Sequence, residues 1–251
     1  MTVTTLASGS SGNSILVSHG DTHLLVDCGI SCLRIKKALA ELELTPDGLS
    51  GILITHEHSD HISGLATLFK KHHLPVYCSC GTGRQLAYRI AFLDEVLHTF
   101  EPGAQFALGE LQVTSFATLH DAADPVGYTF TDGCHKAAIV TDLGVVTPVV
   151  ADAVRGADLL VAEANHDPAM LMDGPYPYHL KQRILGHHGH LSNAACGELC
   201  RDAGAKQVVL AHLSAENNRP SLALEAVRAA VGSAVEVEVA PRCEAGRRYQ
   251  V

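Results

Sequence analysis

ITHEHSDHISG, residues 54–64, closes the apolar, β-branched run LSGILITH and leads into ISGLATLFKKHH. Three histidines, one glutamate and one aspartate fall within the six positions from His56 to His61, with Ser59 the sixth. Side chains two apart in extended chain point the same way, so His56 and His58 face one point. Asp60 and His61 stand at a helix entrance and face a second point nearby. Imidazole and carboxylate are ligands of first-row divalent metals such as zinc. The spacing therefore offers two ligands to one ion and two to a neighbour, as in sites whose metals lie roughly 3.5–4 Å apart. Glu57 alternates away from the ligands and is expected to be solvated or paired.

One short loop cannot complete two coordination spheres. Three later strands end in metal-type ligands: VTSFATLH at His120, AAIVTD at Asp142 and VVLAH at His212. Ligands collected from several strand ends at one rim describe a site grafted onto a β framework. The candidate metal ligands are thus His56, His58, Asp60, His61, His120, Asp142 and His212. Asp27, which ends LLVDCG, is placed to orient the ligand loop by hydrogen bonds.

Further out, SILVSH and THLLVDCG read as a hairpin around Gly20-Asp21, and RIKKALAELEL as a helix. ISGLATLFKKHH continues as a helix, followed by the strand PVYCS and the helix TGRQLAYRIAFL. LQVTSFATLH, VGYTFTDG and HKAAIVTDLG are strands. After them come VVTPVVADAVRG (helix), ADLLVAEAN (strand), the helices PYPYHLKQRILGHHG and SNAACGELCRDAGA, KQVVLAHLS (strand), SLALEAVRAAVG (helix) and AVEVEVA (strand). Ser192 is the expected N-cap of the helix that begins SNAAC. Hairpins, strand–helix alternation, hairpins and alternation again suit two β-sheets packed face to face with helices outside.

At 251 residues, 47% hydrophobic and 18% charged, the chain can bury a full core without disulfides. Residues 1–251 are expected to form one domain. The eight cysteines include no CxxC pair and read as reduced, packed thiols. No apolar run nears the ~20 residues of a membrane span. The opening MTVTTLASGS has neither a basic start nor an apolar core. A cytoplasmic chain with no membrane partner is expected. The net charge of -9 argues against a broad basic nucleic-acid surface and leaves room for a local groove. The basic pieces are Lys36-Lys37, Lys70-Lys71, Lys181 with Arg183, and Arg247-Arg248.

The HxHxDH run, followed by distant His, Asp and His, resembles the metallo-β-lactamase-fold hydrolases. LASGSSGNS, ILITHEHSDHISGL, HDAADPVGYTF, VTDLG, EANHD, YPYHLKQRILG, GHLSN and AHLS look more specifically like the YycJ/WalJ group within that fold. The resemblance implies an α/β fold, a four-layer αββα sandwich of two packed mixed β-sheets with outer helices. It puts His56, His58 and His120 on one metal and Asp60, His61 and His212 on a second, with Asp142 bridging. Zinc is the metal it favours, with manganese and iron as alternatives. His58 stands where some relatives of the fold carry Glu and a redox di-iron site, which favours hydrolysis here.

Two metals lower the pKa of a shared water to give hydroxide at neutral pH and neutralise charge on the phosphoryl oxygens. The resemblance implies a phosphodiesterase, a 5′-to-3′ exonuclease on double-stranded DNA, with Asp60 among the catalytic residues. His190 in GHLSN is assigned to the scissile phosphate or the leaving group, and the alternative is a packed helix-entry histidine. Glu163 is placed to orient a histidine such as His190. Asn165 and His166 either line the pocket or fix the loop before Pro168. Ser10, Ser11 and Asn13 in SGSSGNS either donate to phosphate or form a tight turn. His187 and His188 are left as surface residues. The alternatives are a small-molecule ester, thioester or lactam hydrolase, an RNA-processing nuclease, and a metal or redox sensor without turnover.

Overall fold

The strands sort by their alternation into two sheets with three apolar layers between and around them. The computed structural model describes residues 1–251. The first sheet has the order β14-β1-β2-β3-β4-β5-β6. Its strands are β1 (Thr2–Ala7), β2 (Ser14–His19), β3 (Thr22–Val26), β4 (Gly51–Leu53), β5 (Val76–Ser79), β6 (Leu97–Phe100) and β14 (Arg248–Gln250). The second has the order β13-β12-β11-β10-β9-β8-β7. Its strands are β7 (Gln105–Leu108), β8 (Leu111–Ala117), β9 (Val126–Thr131), β10 (Lys136–Val140), β11 (Leu159–Glu163), β12 (Gln207–Ala211) and β13 (Glu236–Val239). Each sheet is antiparallel through its hairpins and parallel beyond them, from β3 to β6 and from β10 to β13.

The parallel strands are buried on both faces, as crossover helices require. In β11, Leu159 and Val161 face the other sheet while Leu160 and Ala162 face helices. The middle layer joins Val17, Leu24, Val26 and Leu53 to Val113, Tyr128, Phe130, Ile139 and Val209. Helices α1 (Cys32–Glu41), α2 (Ser59–Ile62), α3 (Leu65–His72) and α4 (Cys80–Arg89) belong to the first sheet's half of the chain. Ile35, Leu39, Leu68 and Leu86 of these helices pack with strand residues such as Leu25 and Ile52. Helices α5 (Pro148–Val154), α6 (Pro168–Asp173), α7 (Tyr178–Leu185), α8 (Asn193–Ala203) and α9 (Pro220–Val231) follow, and α5, α8 and α9 cover the second sheet through Val150, Leu199 and Val227. The result is the four-layer αββα sandwich of the sequence reading. Ser192 caps α8, its Oγ accepting from the Ala195 N–H at 3.2 Å.

Two local expectations change. The strand read through His56 pairs only over Gly51–Leu53. Beyond it the chain crosses toward the second sheet: Tyr128 Oη donates to the Ile54 carbonyl (2.7 Å) and the Val126 N–H to the Thr55 carbonyl (3.0 Å). That crossing carries the ligand loop to the edge where both sheets meet. The helix read over residues 62–73 is broken between Ile62 and Leu65. Gly64 lies against the Ile30 carbonyl, where a Cβ would sit 2.1 Å from the oxygen, and its N–H bonds the Cys28 carbonyl at 2.8 Å. β6, β7 and β14, at sheet edges with largely exposed patterns, carry no alternation that marks them in the sequence.

Candidate metal centre

Asp27 locks the ligand loop. It follows β3 with φ 62°, a left-handed conformation that non-glycine residues adopt mostly where surroundings impose it. Its Oδ1 accepts from the Thr55 N–H (2.8 Å), and its Oδ2 from Thr55 Oγ1 (2.9 Å) and His61 Nδ1 (2.8 Å). With its proton on Asp27, Thr55 Oγ1 accepts from His56 Nδ1 at 3.0 Å. Nδ1 of both rings is thereby a donor and Nε2 is the nitrogen turned toward the other ligands; in His61 it lies 3.1 Å from Asp142 Oδ2 and 3.2 Å from Asn13 Nδ2. His56 Nε2 is buried with no partner. His58 is turned over: its Nε2 donates to the Asp121 carbonyl (3.2 Å), leaving Nδ1.

The second sheet supplies the other half. His120 Nδ1 donates to the Gly189 carbonyl (3.0 Å) and His212 Nδ1 to Glu163 Oε1 (2.9 Å), so both present Nε2. Asp142 and His212 have φ 55° and 54° just past β10 and β12, which turns them into the gap between the sheets. Asp142 sits centrally. Its Oδ2 is 3.1 Å from His61 Nε2, and its Oδ1 is 3.4 Å from His212 Nδ1 and 3.8 Å from His120 Nε2. Its Oδ2 is buried without a hydrogen-bond donor. Asp60 Oδ2 lies 3.2 Å from His212 Nε2 and 3.5 Å from His61 Nε2.

The ligand atoms of His56, His58 and His120 fall within 4.8 Å of one another, and so do those of Asp60, His61 and His212. His56, His61 and Asp142 form a third such group linking them. Orphaned acceptors at His56 and Asp142, with tautomers fixed from behind, are what divalent ions need. The donor set fits two of them. Burial, opposed in part by Asp142, leaves His56 well below the imidazole range and His120 below it, so both rings are neutral. Burial also disfavours charge on His61, but Asp142 and Asp27 outweigh it and lift the ring well above that range. Without metal, protons on imidazole balance the carboxylates.

Glu163 is fully buried. Its Oε1 accepts from both His190 Nδ1 (2.7 Å) and His212 Nδ1, and its Oε2 from the N–H groups of Leu143 and Leu191 (both 3.1 Å). It is an orienting group, and the two histidines it holds are adjacent. Burial raises its pKa, but His190 leads the opposing contacts that hold it at about 2. Burial lowers His190, and Glu163 more than restores it to a raised value. A cavity of about 210 Å³ opens beside His120 and His190, reached also by Ser10, Asn165 and Ser214.

Several expectations need correction. Asn13 is buried: its Oδ1 accepts from the Gly9 N–H (2.9 Å) and its Nδ2 donates to the Gly9 carbonyl (3.1 Å). It shapes the loop and does not face solvent as a phosphate donor. Ser10 borders the cavity, and Ser11 is exposed outside its lining. Asn165 lines the cavity while its Nδ2 donates to the His212 carbonyl (3.0 Å). His166 is 1% exposed and outside that lining, with both ring nitrogens unpartnered; burial drops its pKa to about 4. His187 and His188 are exposed, as expected, and His188 also borders the cavity. Of the two readings of Glu57, solvated or paired, the second holds. It is buried, accepts from the Ala123 N–H (2.9 Å) and Thr82 Oγ1 (3.5 Å), and has its carbonyl held by Arg89 Nη1 (2.9 Å). Among the basic pieces, Arg183 reaches the cavity, anchored on Asp121 (Nε–Oδ2 2.7 Å), whereas Arg247 is spent on Glu236 and Glu238. All eight cysteines are free thiols.

A four-layer sandwich whose sheets share a rim of histidines and aspartates defines a hydrolase of the metallo-β-lactamase fold. The family described as "Beta-lactamase superfamily domain" matches residues 22–213, and the chain belongs to it. Within the superfamily, it is 38% identical over 244 residues to "Exodeoxyribonuclease YycJ" of Bacillus anthracis, covering 92% of each chain. It is 41% identical over 225 residues to "Exodeoxyribonuclease WalJ" of Streptococcus pneumoniae, covering 87% of this chain and 83% of the relative. Among solved structures, the fold is shared with the metallo-beta-lactamase fold protein YhfI of Bacillus subtilis (TM-score 0.77, 20% identity, 98% and 100% of the two chains). No helix is long and apolar enough to cross a membrane.

Proposed function

We propose that this chain is a metal-dependent phosphodiesterase, a 5′-to-3′ exonuclease on double-stranded DNA, acting as one domain over residues 1–251. The observation that carries the reading is the pair of ligand groups meeting at Asp142 beside an open cavity. The identity to relatives named exodeoxyribonucleases supports the substrate.

His56, His58 and His120 would hold one divalent ion, and Asp60, His61 and His212 the other, with Asp142 facing both. Zinc, manganese and iron all suit these ligands, and supply decides among them. Two such ions activate water and neutralise phosphoryl charge. The protein's own part is to hold the ligand tautomers through Asp27, Glu163 and the Gly189 carbonyl. His190, its Nδ1–H on Glu163, keeps Nε2 for a phosphate oxygen or for protonating the departing one.

A second reading, hydrolysis of a small ester or lactam, is favoured by the cavity's modest volume of about 210 Å³. Duplex DNA labelled at either end, incubated with zinc-, manganese- or iron-loaded protein, separates the two. Stepwise release from the 5′ end supports the nuclease. No cleavage with any of the three metals removes it.

A further inference from the structure

His190 and His212 share one carboxylate oxygen, Glu163 Oε1, at 2.7 and 2.9 Å. Two imidazole N–H groups reach a single oxygen only if the loops that carry them keep a fixed spacing. Those loops are far apart in the chain: residues 186–192 lead from α7 into α8, and residues 212–219 lead from β12 into α9. No backbone hydrogen bond joins one loop to the other. Both hang from the segment after β11. The Asn165 N–H bonds the Leu191 carbonyl (2.9 Å), the Asn193 N–H the His166 carbonyl (2.9 Å) and the Ser214 N–H the Asn165 carbonyl (2.8 Å).

The direct link is a pair of side chains. Asn193, the first residue of α8, and Asn218 face each other amide to amide. Asn193 Nδ2 donates to Asn218 Oδ1 (2.9 Å), and Asn218 Nδ2 donates to Asn193 Oδ1 (2.8 Å). Both residues are buried. Asn218 Nδ2 also meets the carbonyls of Ala164 (2.8 Å) and Asn165 (3.1 Å), while its Oδ1 accepts from the Arg219 N–H (2.9 Å). Two carbonyls call for the nitrogen and an N–H calls for the oxygen, so the network sets which way the Asn218 amide points, and with it the Asn193 amide.

We propose that Asn193 and Asn218 are positioning residues, a clasp that holds the His190 loop against the His212 loop and keeps the His190 imidazole aimed at the reacting phosphate. The inference rests on the reading of His190 given above. A buried polar network with its groups satisfied is rigid, and a misplacement of about 1 Å can cost about 10²-fold in rate. The clasp matters more to His190 than to His212. The His212 N–H donates to Ser8 Oγ (2.8 Å) and its carbonyl accepts from Asn165 Nδ2 (3.0 Å), both independent of the clasp. The His190 N–H bonds the Ile184 carbonyl of α7 (2.9 Å), outside both sheets. Removing the Asn193 amide leaves Asn218 on Ala164, Asn165 and Arg219, and loosens the His190 side.

The test compares Asn193→Ala with Ser192→Ala in the zinc-loaded full chain. Ser192→Ala weakens the start of α8 and leaves the amide pair in place. The first readout is proton NMR of the Nδ1–H groups of His190 and His212, which their bonds to buried Glu163 shift downfield and shield from exchange. The His190 signal is identified by its loss in His190→Gln. Asn193→Ala should broaden or remove the His190 signal and keep that of His212, and Ser192→Ala should keep both. The second readout is hydrolysis of bis(4-nitrophenyl) phosphate. Asn193→Ala should lower kcat by about tenfold or more with KM changed by less than about twofold, bound metal unchanged, and Ser192→Ala should stay near wild type. Asn193→Ser, which keeps a hydroxyl in the space, gives the same comparison if the alanine variant does not fold. Both signals intact in the Asn193 variant, or equal losses in the variants at 192 and 193, overturns the clasp. If the wild type hydrolyses neither this diester nor DNA, the phosphodiesterase reading falls, and the NMR comparison still decides whether the clasp holds His190.

Discussion

The loop His56–His61 and the strand ends at His120, Asp142 and His212 carry the same kinds of ligand by different means. The loop packs four of them into six residues and is locked from behind by one carboxylate, Asp27, working through Thr55 and His61. The strand ends draw theirs from three strands of the second sheet. Their carboxylate anchor, Glu163, holds the ligand His212, the neighbouring His190 and two backbone amides, while His120 is held by the Gly189 carbonyl. A local motif needs little support because chain connectivity already fixes its spacing. A dispersed set depends on sheet register and on a more heavily connected anchor. The dispersed half is also the one that opens to the cavity, so the heavier anchoring stands where a substrate would press.

The sharpest way to break this comparison is at Asp142, which belongs to both halves. Asp142→Ala should lower activity by about 10³-fold or more, on the scale of losing a key electrostatic stabiliser, and reduce bound metal, read by steady-state kinetics and elemental analysis. Next come the two anchors. Asp27→Asn and Glu163→Gln should each weaken metal binding by about 10–100-fold, with Glu163→Gln the more damaging because His190 and His212 both lose their orientation. Metal titration of the two variants checks the order; equal losses would erase the distinction between the halves.

Glu57 tests how the halves are tied together, since it sits between His56 and His58 yet accepts from Ala123, three residues past His120. Glu57→Ala removes the charged acceptor of that part-buried N–H. It should cost about 1–3 kcal/mol in denaturant unfolding and weaken the metal group that includes His58 and His120, while Glu57→Gln retains most of both. The smallest effect is at the N-cap of α8. Ser192→Ala should cost about 1 kcal/mol with metal content unchanged.

Much of this was legible in the sequence because buried ligands are conspicuous. Histidine or aspartate closing an apolar strand is out of place unless used, which exposed residues 120, 142 and 212 as readily as the HxHxDH run. The sandwich followed from the order of hairpins and strand–helix units, and spacing split the loop's ligands two and two, while the places of His120, Asp142 and His212 came only from family resemblance. What stayed hidden depends on contacts between distant segments. Glu57 meets Ala123 across 66 residues, and no local pattern tells that its side chain is buried. Asn13 lies in a Gly/Ser turn whose polar side chains read equally well facing inward or outward. The cavity is assembled from α7 and several loops, none of which carries a marked motif.

Whether the two regions form one centre is decided most directly by metal content. Protein purified after zinc or manganese loading and weighed by native mass spectrometry should carry two ions per chain. Single substitutions on either side, His58→Ala or Asp60→Ala, should each leave one. A wild type that binds one ion or none under saturating metal would contradict the two-metal centre.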